Sequence, residues 1–361
     1  MTLQEYKCPC CSGSIEFNST VGKMKCPYCD SEFELDSLKE IDDALNNSVD
    51  ESMDWNTEDA GSEFGANELD GMASYSCKSC GAEIITEKIT GASSCPFCGN
   101  PIVMMNNFSG ALKPDFIIPF KYDKEKAKEA LKAHFEGKKL LPVEFKTDNH
   151  IDEIKGIYVP FWLFNSKADA DIRYKAAKKR TWHDDDFNYT ETSYYTVIRR
   201  GSLEFENVPC DASQKMDNDL MDSLEPYDFS EGVDFRTAYL SGYLADKYDV
   251  TAQDSTERAN MRVKTSTQNE FDKTVTGYNT VEIVNNSINL QNGSTKYALL
   301  PMWLLNTTWN GEKYVFGMNG QTGKLVGNLP MDKRKYRRMF LIYMIIAAAV
   351  MFVIYFFLIR K

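Results

Sequence analysis

Residues 8–29 read CPCCSGSIEFNSTVGKMKCPYC, and residues 77–98 read CKSCGAEIITEKITGASSCPFC. In the first stretch Cys8 and Cys11 are followed, after 14 residues, by Cys26 and Cys29. In the second, Cys77 and Cys80 are followed, after the same 14 residues, by Cys95 and Cys98. Two thiolates on one turn approach a single ion, and a second such turn, reached by a short hairpin, closes a tetrahedral four-sulfur site. Pro9, Pro27 and Pro96 follow the first cysteine of their pairs, and Gly81 and Gly99 follow the second of theirs, as tight turns require. The spacing predicts two zinc ribbons, each holding one structural Zn2+ with no open coordination position. Metal binding would contribute about 10–16 kcal/mol per site, enough to fold units too small for their own core. Redox CxxC chemistry is disfavoured, because it usually comes as one pair beside a βαβ unit. Cys10 aligns with Tyr28, Ser79 and Phe97, the last spacer residue of the other pairs, and reads as a non-ligand. Cys210, alone in VPCDAS, reads as a small core or loop residue.

Outward from these quartets the charge is uneven. The 361 residues carry 41 Lys+Arg, 53 Asp+Glu and 3 His, a net charge of -12. Residues 30–76 hold fifteen acidic groups against one Lys, whereas residues 333–361 hold seven basic groups and no acidic side chain. The overall acidity therefore belongs mainly to one segment. Hydrophobic residues make up 43%, which excludes a wholly disordered chain. Three histidines leave little room for a His-rich metal centre.

Residues 339–359, MFLIYMIIAAAVMFVIYFFLI, contain no charge, Gly or Pro. As a helix they span about 31 Å, matching a hydrocarbon core of about 30 Å. Core helices are seldom apolar on every face over such a length, so a single transmembrane helix is expected. Lys333, Arg334, Lys335, Arg337 and Arg338 precede it and only Arg360 and Lys361 follow. The positive-inside rule then keeps the N-terminal body cytoplasmic, at the cell membrane and beside its lipid headgroups. The start, MTLQEYKCPC, lacks the apolar run of a signal peptide. A reducing compartment makes disulfides between the paired cysteines improbable.

The expected organisation is ribbon one at 1–35, an acidic flexible linker at 36–76 and ribbon two at 77–100. A body follows in two α+β halves, 101–210 and 211–332, then a basic segment, 333–338, and the span, 339–359. Trp55 and Phe64 stand out in the linker, either as exposed aromatics or as a docking motif. The body halves rest on an internal repeat: PFWLFNS at 160–166 and PMWLLNT at 301–307 match at Pro160/Pro301, Trp162/Trp303, Leu163/Leu304 and Asn165/Asn306. Both sit on strand-like runs, and each half is expected to hold an antiparallel sheet and a helix. The tryptophans read as core packing, with a ligand or peptide groove as the weaker option. Asp123 can cap a helix burying Ala127, Ala130, Leu131 and Phe135 and ending at Gly137. Further helices are expected over 234–248 and after Thr251-x-x-Asp254. Asn310-Gly311 and the run 319–323 predict hairpins.

Chemistry is harder to find. His183 before Asp184, Asp185 and Asp186 fits a charged hairpin tip better than a cation site, because adjacent strand residues face opposite ways. His134 falls on a helix face and His150 in a loop. GQTGKL lacks the upstream Gly and the following Ser/Thr of a phosphate loop. No nucleophile stands with a base, so no catalytic residue is expected and the chain reads as a non-enzyme. Nucleic-acid binding needs a basic footprint, yet both ribbons are nearly neutral and the linker repels phosphate. Protein contact through the knuckles is favoured, and a membrane-tethered nucleic-acid binder is the alternative.

The paired ribbons, YVPFWLF, LLPMWLLN, the GMNGQTGKLVGNLP hairpin and the basic stop before a C-terminal span resemble the YdjG-like bacterial zinc-ribbon membrane proteins. The resemblance covers nearly the whole chain, and members often carry the label of TFIIB-type zinc ribbons. It implies a place beside phage-shock-type envelope-stress systems, with PspA-like proteins, SPFH-domain proteins and a partner membrane protein as associates. The CPCC of ribbon one and the long acidic spacer depart from the family pattern. The function expected is a membrane-anchored adaptor that recruits proteins to the cytoplasmic face.

Overall fold

Short polar runs between the cysteine pairs favour small hairpins, and long alternating runs in the body favour extended sheet. The computed structural model describes residues 7–11, 13–39, 52–65, 68–88, 94–105, 112–147, 151 and 153–359. In chain order its strands are β1 (Glu16–Asn18), β2 (Lys23–Lys25), β3 (Glu32–Phe33), β4 (Met72–Ser76), β5 (Glu83–Glu87), β6 (Val103–Met105) and β7 (Phe116–Ile117). They continue with β8 (Lys155–His183), β9 (Asn188–Asp211), β10 (Val233–Asp234), β11 (Leu244–Asp246), β12 (Thr280–Trp309), β13 (Glu312–Asn319) and β14 (Leu325–Gly327). The longer helices are α1 (Lys124–Phe135), α2 (Asn218–Leu224), α3 (Thr256–Asp272) and α4 (Lys333–Ile359), and residues 35–39 form a further helical turn. The class is mixed α+β, as expected.

The chain divides into two compact units, each drawn from three segments. Unit one takes Met1–Glu58, Phe164–Val208 and Thr256–Thr295. It contains a small antiparallel sheet in the order β1-β2-β3. It also contains the longer part of β8 and β9, a hairpin in which the Asp184 N–H donates to the Phe187 carbonyl at 3.0 Å. Even-numbered residues Ala168, Ala170, Ile172, Tyr174 and Ala176 of β8 are buried. They pack with Val263 and Phe271 of α3 and with Ile288 of β12, the period-two burial of a sheet with one covered face. The capping expected at Thr251 is present: its Oγ1 accepts from the Asp254 N–H at 3.1 Å just before α3.

The linker reading changes here. Residues 40–51 lie outside the described residues, but 52–58 are packed. Trp55 meets Phe164 edge to face at 5.0 Å, and its indole N–H donates to Asn260 Oδ1 at 2.6 Å. The Asn56 N–H donates to the Gly293 carbonyl at 2.9 Å. An aromatic anchor and ladder bonds outweigh the acidic composition that suggested a tether. Residues from 59 onward join the second unit, where Ala60 and Met72 are buried and Phe64 packs edge to face on Phe235 at 6.2 Å.

Unit two takes Asp59–Leu163, Pro209–Ser255 and Lys296–Lys361. Its sheet runs β10-β7-β12-β8-β11-β5-β4-β6, with β13 and β14 continuing from β12. The repeated segments lie on β12 and β8, which are neighbours in that order. Both indoles are buried, as core packing predicts. Trp162 Nε1 donates to the Val250 carbonyl at 2.9 Å and Trp303 Nε1 to the Tyr122 carbonyl at 2.8 Å. Helix α1 begins as predicted, with the Lys126 N–H donating to Asp123 Oδ1 at 2.9 Å, and buries Ala127, Leu131 and Phe135. Asn310 and Gly311 take φ of 52° and 83°, the left-handed pair of a two-residue hairpin, and join β12 to β13.

Residues 234–248, expected to be helical, are not. They form a 3-10 turn at Thr237–Leu240 and then β11, which pairs in parallel with β8 and antiparallel with β5. Gly242 at φ 80° turns the chain between them, and burial of Leu244 and Ala245 in the sheet overrides local helix preference. The helix actually present is α2, where the Leu220 N–H donates to Asp217 Oδ1 at 3.1 Å. Helix α4 contains, within Lys333–Phe356, a stretch long and apolar enough to cross a membrane, and none of that stretch is buried among the described residues.

Candidate metal centres

Each quartet of cysteines comes together. The four sulfurs of Cys8, Cys11, Cys26 and Cys29 lie within 4.8 Å of one another, and so do those of Cys77, Cys80, Cys95 and Cys98. The closest approaches are Cys8 to Cys29 at 3.6 Å and Cys11 to Cys26 at 3.5 Å, repeated as Cys77 to Cys98 at 3.5 Å and Cys80 to Cys95 at 3.6 Å. Four sulfurs each about 2.3 Å from a central ion would stand about 3.8 Å apart, so both arrangements are nearly those of a filled tetrahedral site. Cys10 is not part of the first quartet.

The backbone explains the repetition. The N–H of Cys8 donates to the Gly13 carbonyl at 2.7 Å, Cys26 to Ser31 at 2.9 Å, Cys77 to Ala82 at 2.9 Å and Cys95 to Asn100 at 2.8 Å. All four turns therefore close five residues on. Inside the turns, backbone N–H groups face sulfur: those of Cys10 and Cys11 face Cys8, and those of Phe97 and Cys98 face Cys95. Such donors stabilise thiolate and suit a bound cation.

The thiols are not alike. Burial pushes the Cys8 and Cys95 thiols up. The hydroxyl and N–H of Ser31 hold Cys29 down at about 6. Burial opposes the Cys98 thiolate, but the N–H and side chain of Asn100, together with the Cys77 and Cys80 thiols, outweigh it and bring that thiol to about 6 as well. An all-sulfur donor set, tetrahedral spacing and inward N–H groups fit a thiophilic metal ion at both places.

Their surroundings differ sharply. Cys77, Cys95 and Ala82 belong to the unit-two core with Ile84, Ile157 and Leu163, and Cys80, Phe97 and Cys98 pack against it. Strands β4, β5 and β6 around this quartet are members of the large sheet. Lys155 stands beside it, with Nζ donating to Ser94 Oγ at 2.6 Å, and Asn306 Nδ2 donates to the Pro96 carbonyl. Burial holds the Lys155 ammonium below the usual lysine range, and Cys95, Glu153 and Cys98 only partly offset it. Among the described residues the first quartet is flanked by three short strands and a helical turn at 35–39, and Cys11 and Cys29 are exposed. Tyr28 of its second turn is 74% exposed and Phe17 62% exposed, large apolar side chains that its small sheet leaves in solvent.

Among the described residues the other candidates carry no cluster. His183 precedes the Asp184 turn, whose Oδ1 accepts from the Phe187 N–H at 2.8 Å. His134 lies on α1, with Nε2 buried and without a hydrogen-bond partner. His150 lies outside the described residues. Cys210 is buried. The run from Gly320 is a hairpin turn, in which Asn319 Oδ1 accepts from the N–H of Gln321 and of Thr322, each at 2.9 Å. Sequence reading passed over one buried pair in unit two: the Ser213 hydroxyl donates to Asp246 Oδ2 at 2.6 Å, with both side chains out of solvent. Asp246 sits in a short apolar strand, and only the fold brings Ser213 to it.

Comparison with known proteins gives one relative. The chain is 33% identical, over 313 residues, to Uncharacterized protein YdjG of Bacillus subtilis (strain 168). The match covers 73% of this chain and 92% of that one. No protein-family model matches the chain, and no solved structure does.

Proposed function

The chain belongs to the YdjG family, and from that premise we propose that it is a membrane-anchored zinc-ribbon adaptor. Helix α4 is the anchor, with the body on the cytoplasmic side, where Lys333–Arg338 meet anionic headgroups. The two quartets hold one Zn2+ each, which cross-links the turns and supplies folding energy. The chain's role is binding rather than catalysis.

One observation carries the reading. The second quartet is built into the unit-two core, whereas the first exposes Tyr28 on its second cysteine turn and Phe17 on β1. Large apolar side chains left in solvent are what a recognition surface offers a protein partner. Anchoring raises the effective concentration of whatever is recruited near the bilayer, so a weak contact suffices. The partners proposed are membrane-associated stress proteins of the PspA-like and SPFH-domain kinds. The near-neutral ribbons and the acidic segment after the first speak against phosphate binding.

The experiment is photocrosslinking in cells from position 28, with position 103 as the control, since Val103 is also exposed but lies on β6. A discrete membrane-associated protein captured from 28 and not from 103 supports the adaptor. No capture, or equal capture from both positions, contradicts it.

A further inference from the structure

Strand β9 is 24 residues long and pairs only with β8 among the described residues. The other terminal strands, β6, β10 and β14, are two or three residues long. Short edges protect a sheet from joining another, and a long bare one invites it. Residues 189–198 of β9, YTETSYYTVI, contain no Pro, Gly or Lys, and most are strong strand formers. Tyr189, Tyr194, Tyr195 and Ile198 are exposed there.

The hairpin fixes which groups are free. Because the Asp184 N–H donates to the Phe187 carbonyl, which sets Asp184 opposite Phe187, odd-numbered residues of β9 turn their N–H and C=O towards β8. Trp182 stacked on Tyr189 at 5.5 Å fits that register. Even-numbered residues from Thr190 to Arg200 therefore direct theirs outward. One of these carbonyls, that of Ile198, accepts from Arg199 Nη1 at 3.1 Å.

We propose that the β9 edge pairs antiparallel with the β9 edge of a second copy of this chain, about a two-fold axis at Tyr195. In that register the outward residues meet as hydrogen-bonded pairs, Thr192 with Ile198 and Tyr194 with Thr196. Tyr195 stands opposite Tyr195 of the second copy, an aromatic cross-strand pair. Glu191 stands opposite Arg199 of the second copy, twice over, so the edge is complementary in charge to itself. The Arg199 guanidinium is fixed by its own chain, with Nε donating to Thr274 Oγ1 at 3.0 Å and Nη2 to the Thr274 carbonyl at 3.2 Å. A contact of this kind is isologous and closes on itself, giving a dimer rather than a fibre. The inference goes beyond the adaptor reading and stands without it.

The test is the mass of the full chain in detergent at tens of micromolar, by light scattering after subtraction of the micelle. The wild type should run at twice the 41.1 kDa chain mass. Thr196→Pro removes an outward N–H without touching the β8 ladder, so it should give folded monomer by circular dichroism. Glu191→Arg and Arg199→Glu should each weaken the dimer by about tenfold or more, and the double variant should restore it. The charge exchange decides the matter if Thr196→Pro does not fold. A monomeric wild type, or a dimer that neither the proline nor the charge exchange alters, overturns the proposal.

Discussion

Ser213 donates its hydroxyl to Asp246 at 2.6 Å, and both side chains are buried in the unit-two core. Burial pushes the Asp246 carboxyl up to about 7, and the nearby Asp249 adds to the shift, while Ser213 and Lys215 oppose it. The folded state therefore holds a proton that the unfolded chain releases at about 3.8. That contribution to stability is full below about 3.8 and is lost as pH rises through about 7. The unfolding free energy of the wild type, measured against Asp246→Asn, should fall between pH 5 and pH 8. Taking the difference removes the cysteine contribution, which runs the other way. A difference that is flat, or that rises over this range, contradicts the assignment.

Trp55 fastens residues 52–58 to unit one through Phe164 and Asn260. Trp55→Ala should cost about 2 kcal/mol, below the 3–5 typical of a fully buried Trp because this ring is half-buried. Hydrogen exchange at Asn56, whose N–H bonds to Gly293, should accelerate with it. Unchanged exchange at Asn56 would mean that the indole is not the anchor.

The two quartets should differ in what their loss does. Cys77→Ser removes a sulfur that lines the unit-two core, and it should unfold or strongly destabilise that unit. Cys8→Ser should leave the main thermal transition within about 1 kcal/mol of wild type, because among the described residues that quartet is not part of the core packed on the long strands. Calorimetry of both variants checks this, and equal effects would contradict it.

Removal of residues 333–361 should move the protein from the membrane pellet to the supernatant after cell lysis and ultracentrifugation. A truncated chain that stays in the pellet contradicts the anchor.

Much of this was legible in the sequence because the signals are local. Cysteine spacing found both quartets, Asp123 and Thr251 marked true helix starts, and Asn310-Gly311 marked a true hairpin. What escaped depends on distant pairing. Residues 244–246 take their strand from β8 and β5, more than 80 residues away in each direction of pairing, and not from their own composition. The contrast between the quartets was equally hidden. The same Cys-x-x-Cys spacing serves an exposed unit and a core-embedded one, and only the strands flanking Cys77 and Cys95 tell them apart. Trp55 was visible, but composition placed it in a tether, because nothing nearby announces Phe164 as its seat.

Elemental analysis of the purified full chain tests the central claim most directly. Two thiophilic metal ions per chain are predicted, with zinc as the metal, falling to one in Cys8→Ser. A metal-free chain that is nonetheless folded, or a Cys8→Ser variant that still holds two ions, would contradict it.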